Sequence, residues 1–162
     1  MIGQRESIQT LEQRTVSDGK VIYDTSIYIE VLRSKHFAAA FRSGYEANLS
    51  RTFFNSVVSQ ELLAGATDSL KLAAVEGFYR PFERSRRIVT PSHSVWKDAG
   101  RILGVIRRQR KDLMDRLTGS FVNDLLIASS AKSVGAKVIT LNVDDFTLIR
   151  NYIRFALETL KT

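Results

Sequence analysis

The chain predicts a three-layer α/β/α sandwich around a parallel sheet of about four or five strands. Short β-rich runs alternate with longer stretches of helical period, the pattern of successive β-α-β units. The 162 residues, 44% hydrophobic, suit one domain with a sizeable core. No repeat, low-complexity tract or interdomain linker divides them, so a domain over residues 21–162 is expected behind an N-terminal extension, residues 1–20.

Met1 to Lys20 lacks an apolar period and reads as a tail or a weakly held helix, with Ser17-Asp18-Gly19 as a turn signal. Val21-Ile22-Tyr23 is the first strand. Asp24-Thr25-Ser26 ends it, and a helix follows with Ile27, Ile29, Val31 and Leu32 on its apolar side. Asp24 is a favoured N-cap type, and it also stands at the carboxyl end of a strand, where open parallel sheets bind ligands. Phe37 to Leu49 reads as a second helix. Thr52 to Val58 is the next strand, rich in β-branched and aromatic residues. Ser59 is then the expected N-cap, with Glu61 in the first turn, where the helix dipole favours an acid, and this helix is expected to run toward Gly77.

Phe78 to Arg87 interleaves bases and aromatics: Tyr79, Arg80, Phe82, Arg84, Arg86 and Arg87. Such a stretch either stacks bases and neutralises phosphates or is a solvated edge of the core. Arg87 to Thr90 is a short strand. Ser92 or Ser94 caps a long helix whose apolar face is Val95, Ala99, Ile102, Leu103 and Ile106. His93, at its start, has no histidine partner at metal-ligand spacing. Arg107, Arg108, Arg110 and Lys111 crowd its end, where cations suit the dipole and could equally meet a polyanion. Asp112 to Gly119 is a polar link. Asp124 is expected at the start of the next helix, which runs through small residues to Gly135; the strand Lys137–Leu141 follows, then Asn142, Asp144 and Asp145. A short helix and a last strand or helix close the chain.

Bulk chemistry narrows the function. The absence of cysteine excludes disulfides and thiolate metal sites and fits a reducing, cytoplasmic setting. No apolar run approaches the about 18 residues of a membrane span, and no secretory signal is visible. The net charge of +7 suits a polyanion or an acidic protein segment.

Right-handed crossovers bring all strand carboxyl ends to one rim. Asp24, Glu61 and Asp145 lie just past strand ends, and Asp124 can join them from its helix N-terminus. Crowded carboxylates repel one another and raise one another's pKa values. A hard cation relieves this, and oxygen ligands suit Mg²⁺ or Mn²⁺ better than zinc. Bound at a basic rim, such an ion would orient and acidify a water and stabilise charge on a phosphoryl group.

Four words carry a resemblance: Val21 to Ser26, Val57 to Ala66, Asn123 to Ala128 and Val138 to Phe146. Together, in this order and spacing, they resemble the signature of the PIN-domain family, in particular the toxin ribonucleases of VapBC toxin–antitoxin pairs. The resemblance implies an endoribonuclease using one or two Mg²⁺ or Mn²⁺ ions, held in check by a cognate antitoxin and usually homodimeric. It puts the acids at Asp24, Glu61 and Asp124, with Asp145 or the competing Asp144 as the fourth, and Ser26, Thr140 and Asn142 as supporting positions. The basic segments are then candidates to hold RNA or an acidic antitoxin tail. The extension before Lys20 departs from the family pattern. Two other readings stay open at this point. One is a non-catalytic RNA-binding module on the same fold. The other is a haloacid-dehalogenase-type phosphohydrolase, whose DxD word would need an acid where Ser26 stands.

Overall fold

A computed structural model describes residues 19–162; the expectations for residues 1–18 lie outside the described residues. Five strands, β1 (Val21–Tyr23), β2 (Thr52–Asn55), β3 (Ile88–Val89), β4 (Lys137–Thr140) and β5 (Ala156–Thr159), form one sheet in the order β3-β2-β1-β4-β5. Every adjacent pair is parallel; β1 registers Val21 on Thr52 to one side and on Lys137 to the other. The order reverses at β1, whose two neighbours lead the chain in opposite directions. A crevice at the carboxyl end of the sheet is the consequence.

The helices are α1 (Thr25–Arg33), α2 (Lys35–Asn48), α3 (Ser56–Gly65), α4 (Ser69–Arg84), α5 (His93–Gln109), α6 (Gly119–Val134) and α7 (Val143–Arg150). Right-handed crossovers put α1 to α4 on one face of the sheet and α5 to α7 on the other. All seven begin at a side-chain cap: Asp24, Ser34, Asn55, Asp68, Ser92, Thr118 and Asn142 each accept a bond from an N–H of the first turn. Gly135 ends α6 at φ 68°, a conformation that suits glycine because it has no Cβ to clash.

The core is contiguous. Ile22, Tyr23, Phe54, Phe82, Phe121, Leu125, Ile127 and Phe146 are fully buried within it. Helix α6 is buried at every residue from Asp124 to Ala131. A helix enclosed on all sides is central by construction, and Ala128, Ser129, Ser130 and Ala131 let its neighbours approach closely.

Several expectations are corrected. Strand β2 stops at Asn55 instead of Val58, because the Asn55 side chain caps α3 through Val57 N–H at 2.9 Å. Ser59 is therefore inside the helix, and Glu61 lies in its second turn. The helix expected to reach Gly77 breaks at Ala66 to Asp68, where Asp68 caps α4 by accepting from Lys71 N–H at 2.8 Å. Of the stretch Phe78 to Arg87, read as either RNA-facing or a solvated edge of the core, residues 78–84 belong to α4, with Phe82 buried and stacked 5.5 Å from Phe54 while Arg84 and Arg86 are exposed. Likewise α6 starts at Gly119, capped by Thr118, so Asp124 sits in its second turn and not at its start. The polar link before it contains a 3₁₀ segment, Lys111–Arg116.

Candidate active site

Strands β1 and β4 are side by side, and their carboxyl ends are stitched by short polar side chains. Asp24 N–H donates to the Ile139 carbonyl at 2.9 Å. The Ser26 hydroxyl accepts from Leu141 N–H at 3.0 Å, and the Thr140 hydroxyl accepts from Asn142 N–H at 2.9 Å. Both hydroxyls donate to the same oxygen, Asp24 Oδ2, at 2.7 and 2.8 Å. A hydroxyl has one proton to give, so the pair is fully spent on Oδ2. Asp24 Oδ1 is buried with no hydrogen-bond partner among the described residues. Burial pushes the Asp24 carboxyl above its usual range, partly offset by the Ser26 and Thr140 hydroxyls.

Asp124 reaches the same place from the second turn of α6 and is only 4% exposed. Its carboxyl is pushed up to about 9, first by burial and then by the charges of Asp24, Asp145 and Glu61. The Asn142 amide holds two of the acids: its Nδ2 donates to Asp124 Oδ2 at 2.8 Å and to Asp145 Oδ2 at 3.1 Å. Asn142 is also the cap of α7, so the residue that starts the helix sets the carboxylates beside it. Glu61 is fixed at both oxygens. Asn123 Nδ2 donates to Oε1 at 3.0 Å, and the Thr25 hydroxyl donates a very short bond to Oε2.

Asp24, Glu61, Asp124 and Asp145 are thus linked through Thr25, Asn123, Thr140 and Asn142. Asp144 is exposed and has no place in this network; its neighbour Asp145 takes it. Among the described residues, no group of three Asp, Glu, His or Cys side chains is arranged to hold a metal ion as it stands. Asp124 Oδ2 and Asp145 Oδ2 instead accept from Asn142 Nδ2, and Asp145 Oδ1 accepts from Arg116 Nη2 at 2.6 Å. The donor set nonetheless fits a hard cation. All its ligands are oxygen, and buried Asp24 Oδ1 lacks the positive partner that a buried carboxylate requires.

The basic residues are dispersed. Arg80 pairs with Glu76 at 2.6 Å, and Arg110 clamps Asp112 with bonds of 2.9 and 2.7 Å. Arg84, Arg86, Arg107, Arg108 and Lys111 are exposed. Arg87 is structural: it donates to the Leu49 carbonyl and, at 3.0 Å, to the Thr52 carbonyl, and its guanidinium lies 5.3 Å from the Phe82 ring centre. Arg87→Ala should therefore lower stability by about 1–2 kcal/mol while leaving activity per folded molecule within about twofold; chemical denaturation alongside a specific-activity assay checks both. None of these eight side chains bonds to a site carboxylate, whereas Arg116 does. Sequence reasoning missed Arg116, Thr25 and Asn123 as site residues. Thr25 and Asn123 each adjoin a site acid, which was the available signal. Arg116 had none.

A sequence profile of the PIN domain matches residues 21–151. The chain belongs to the PIN-domain family. That membership displaces the haloacid-dehalogenase-type reading, in keeping with the Ser26 hydroxyl on Asp24 where that chemistry needs an acid. Among solved structures, this PIN domain is similar to a chain of DNA-bound VapBC from Salmonella typhimurium, with 26% identity and a TM-score of 0.62; the match spans 87% of this chain and 98% of that one. It also resembles VapBC2 from Rickettsia felis bound to a promoter DNA fragment (22%, 0.62, spanning 87% and 98%). VapBC-1 from nontypeable Haemophilus influenzae is a third likeness (22%, 0.57, spanning 86% and 96%). At 22% identity the last two show the fold alone. No curated protein sequence matches the chain. Among the described residues, no helix is long and apolar enough to cross a membrane.

Proposed function

We propose that this PIN domain is a metal-dependent endoribonuclease and the toxin of a toxin–antitoxin pair. The reading is supported by the hydrogen-bond network that joins Asp24, Glu61, Asp124 and Asp145 through Thr25, Asn123, Thr140 and Asn142, with Asp24 Oδ1 buried and without a hydrogen-bond partner among the described residues. These four residues would hold one or two Mg²⁺ or Mn²⁺ ions. When bound, such an ion supplies acidified water and charge neutralisation on phosphoryl oxygens. The chain's own residues prepare the site for it. Ser26 and Thr140 aim Asp24 by fixing Oδ2. Thr25 and Asn123 hold Glu61. Asn142 spaces Asp124 from Asp145. Purified protein should cleave RNA with Mn²⁺ and stop in excess chelator; cleavage that persists in chelator refutes the proposal.

A cleft beside the site is the candidate antitoxin seat. It encloses about 470 Å³ between α1, α3 and α4, and Glu61 contributes to its wall. Ile29, Leu32, Leu62, Ala66, Leu70 and Val75 make it apolar, with Arg33 and Lys71 also lining it. Leu70 is 83% exposed, an unusual position for a large apolar side chain. An amphipathic segment with an acidic end suits that lining. Leu70→Asp should weaken capture of the antitoxin by about tenfold or more, as expected at an apolar anchor, and leave RNA cleavage intact. Co-purification with the product of the adjoining gene, followed by titration calorimetry, measures this. A homodimer is part of the proposal, and sedimentation tests it.

A further inference from the structure

Among the described residues, Arg116 is the one cation bonded to a site acid, and it comes from outside the acid-bearing words. It ends the 3₁₀ segment between α5 and α6 and reaches across 29 residues of chain to Asp145. Its Nη2 donates to Asp145 Oδ1 at 2.6 Å, while Asn142 Nδ2 donates to Oδ2 at 3.1 Å. Both oxygens of that carboxylate are thus covered by N–H groups. Each oxygen keeps a second lone pair, so a cation can reach the carboxylate, but it then stands beside the donors already there, and the guanidinium opposes it with a full positive charge. Asn142 is tied into the α7 cap and into Asp124, so its release would disturb two other contacts. Among the described residues, Arg116 makes no other hydrogen bond or ion pair. Its side chain is 41% exposed, against 23% for Asp145, and it sits at the open side of the pair.

We propose that Arg116 is an exchangeable counter-ion for Asp145: it holds the carboxylate in the metal-free protein and turns to a phosphate of bound RNA when a cation takes its place. The proposal rests on the metal-dependent nuclease reading above. Three physical points carry it. The guanidinium stays charged at any working pH, so displacement cannot be relieved by losing a proton. A divalent cation on Asp145 repels it at close range. Of the two other acids of its own segment, Asp112 is already clamped by Arg110, and Asp115, next to Arg116 in the chain, is exposed to solvent and offers only a screened surface charge. The acceptor that the proposed chemistry supplies is the phosphodiester, whose paired oxygens match the guanidinium fork. A pair this exposed is weak, so the exchange shifts metal affinity only about two- to fivefold.

The test is a double-mutant cycle read by Mn²⁺ titration calorimetry on the wild type, Arg116→Gln, Asp145→Asn and the double variant. Arg116→Gln should bind Mn²⁺ about two- to fivefold tighter than wild type, and this gain should vanish in the Asp145→Asn background. An equal gain in both backgrounds would mean that Arg116 acts only through its field, and would overturn the exchange. So would unchanged or weaker binding by Arg116→Gln. At saturating Mn²⁺, the same variant should raise KM for an RNA oligonucleotide about three- to tenfold with a smaller change in kcat, and Arg116→Lys should recover part of it. An unchanged KM removes the phosphate half of the proposal. Wild type that binds no Mn²⁺ at all defeats the nuclease reading itself, whereas wild type that binds, with Arg116→Gln no tighter, defeats only the exchange. Thermal melts of the metal-free variants establish that each is folded.

Discussion

Asp24→Asn should leave the fold intact and reduce RNA cleavage by about 10³-fold or more, equivalent to about 4 kcal/mol of lost transition-state stabilisation. The substitution is nearly isosteric, and the two hydroxyls on Oδ2 can still bond the amide oxygen. What disappears is the charge on Oδ1, the atom without a hydrogen-bond partner among the described residues. Stability should hold or rise, because burial already disfavours the charged form of Asp24. Expression of the variant should no longer arrest growth. The measurements are kcat/KM on an RNA oligonucleotide, a thermal melt and a growth curve. Wild-type cleavage by a folded Asp24→Asn would remove Asp24 from the chemistry.

Metal-free protein should lose stability as pH rises from about 4 toward 9, and Asp124→Asn should abolish much of that slope. Asp124 titrates near 3.8 when unfolded, and its carboxyl is pushed up to about 9 in the fold. Between these values the folded state keeps a proton that the unfolded state has released. Stability therefore falls with rising pH across that window. Its contribution is complete below the unfolded value and lost on approach to the folded one. An Asn at position 124 does not titrate and can still accept from Asn142, so the variant should be more stable at pH 8 by about 2 kcal/mol, or about 6 °C. The two proteins should converge near pH 4. Mn²⁺ should reverse the ranking, stabilising the wild type with release of about one proton per chain at neutral pH. Melts across pH, with and without Mn²⁺, decide it; parallel profiles for the two proteins would show that Asp124 is not held neutral by its surroundings.

The contrast between Asp145 and Asp144 shows how far reading along the chain can go. The pair sits just past a strand in either case, and both acids suit the first turn of α7. Only the Asn142 cap, which orients the helix, selects Asp145 for the network. Glu61 and Asp124 were expected at helix starts and are one turn further in, because Asn55 and Thr118 cap their helices earlier. That one-turn shift carries both acids away from the helix ends, leaving Glu61 half-buried and Asp124 fully buried. For Asp124 it is why the carboxyl is pushed up to about 9. Arg87 went the other way: its basic, aromatic neighbourhood looked like an RNA contact, and tertiary packing makes it a clamp on β2.

Strand and helix alternation, the positions of the acids past strand ends and the excess of positive charge are local or additive properties, so the amino-acid order alone settles them. From them came the parallel sheet, the shared rim and the hard-oxygen donor set. Contacts between residues distant in the chain depend on cap positions and side-chain reach, which no local pattern encodes. The Arg116 pairing with Asp145, the spent hydroxyls that leave Asp24 Oδ1 bare, and the enclosure of α6 around Asp124 arose only when the packed layers fixed which polar atoms could find partners.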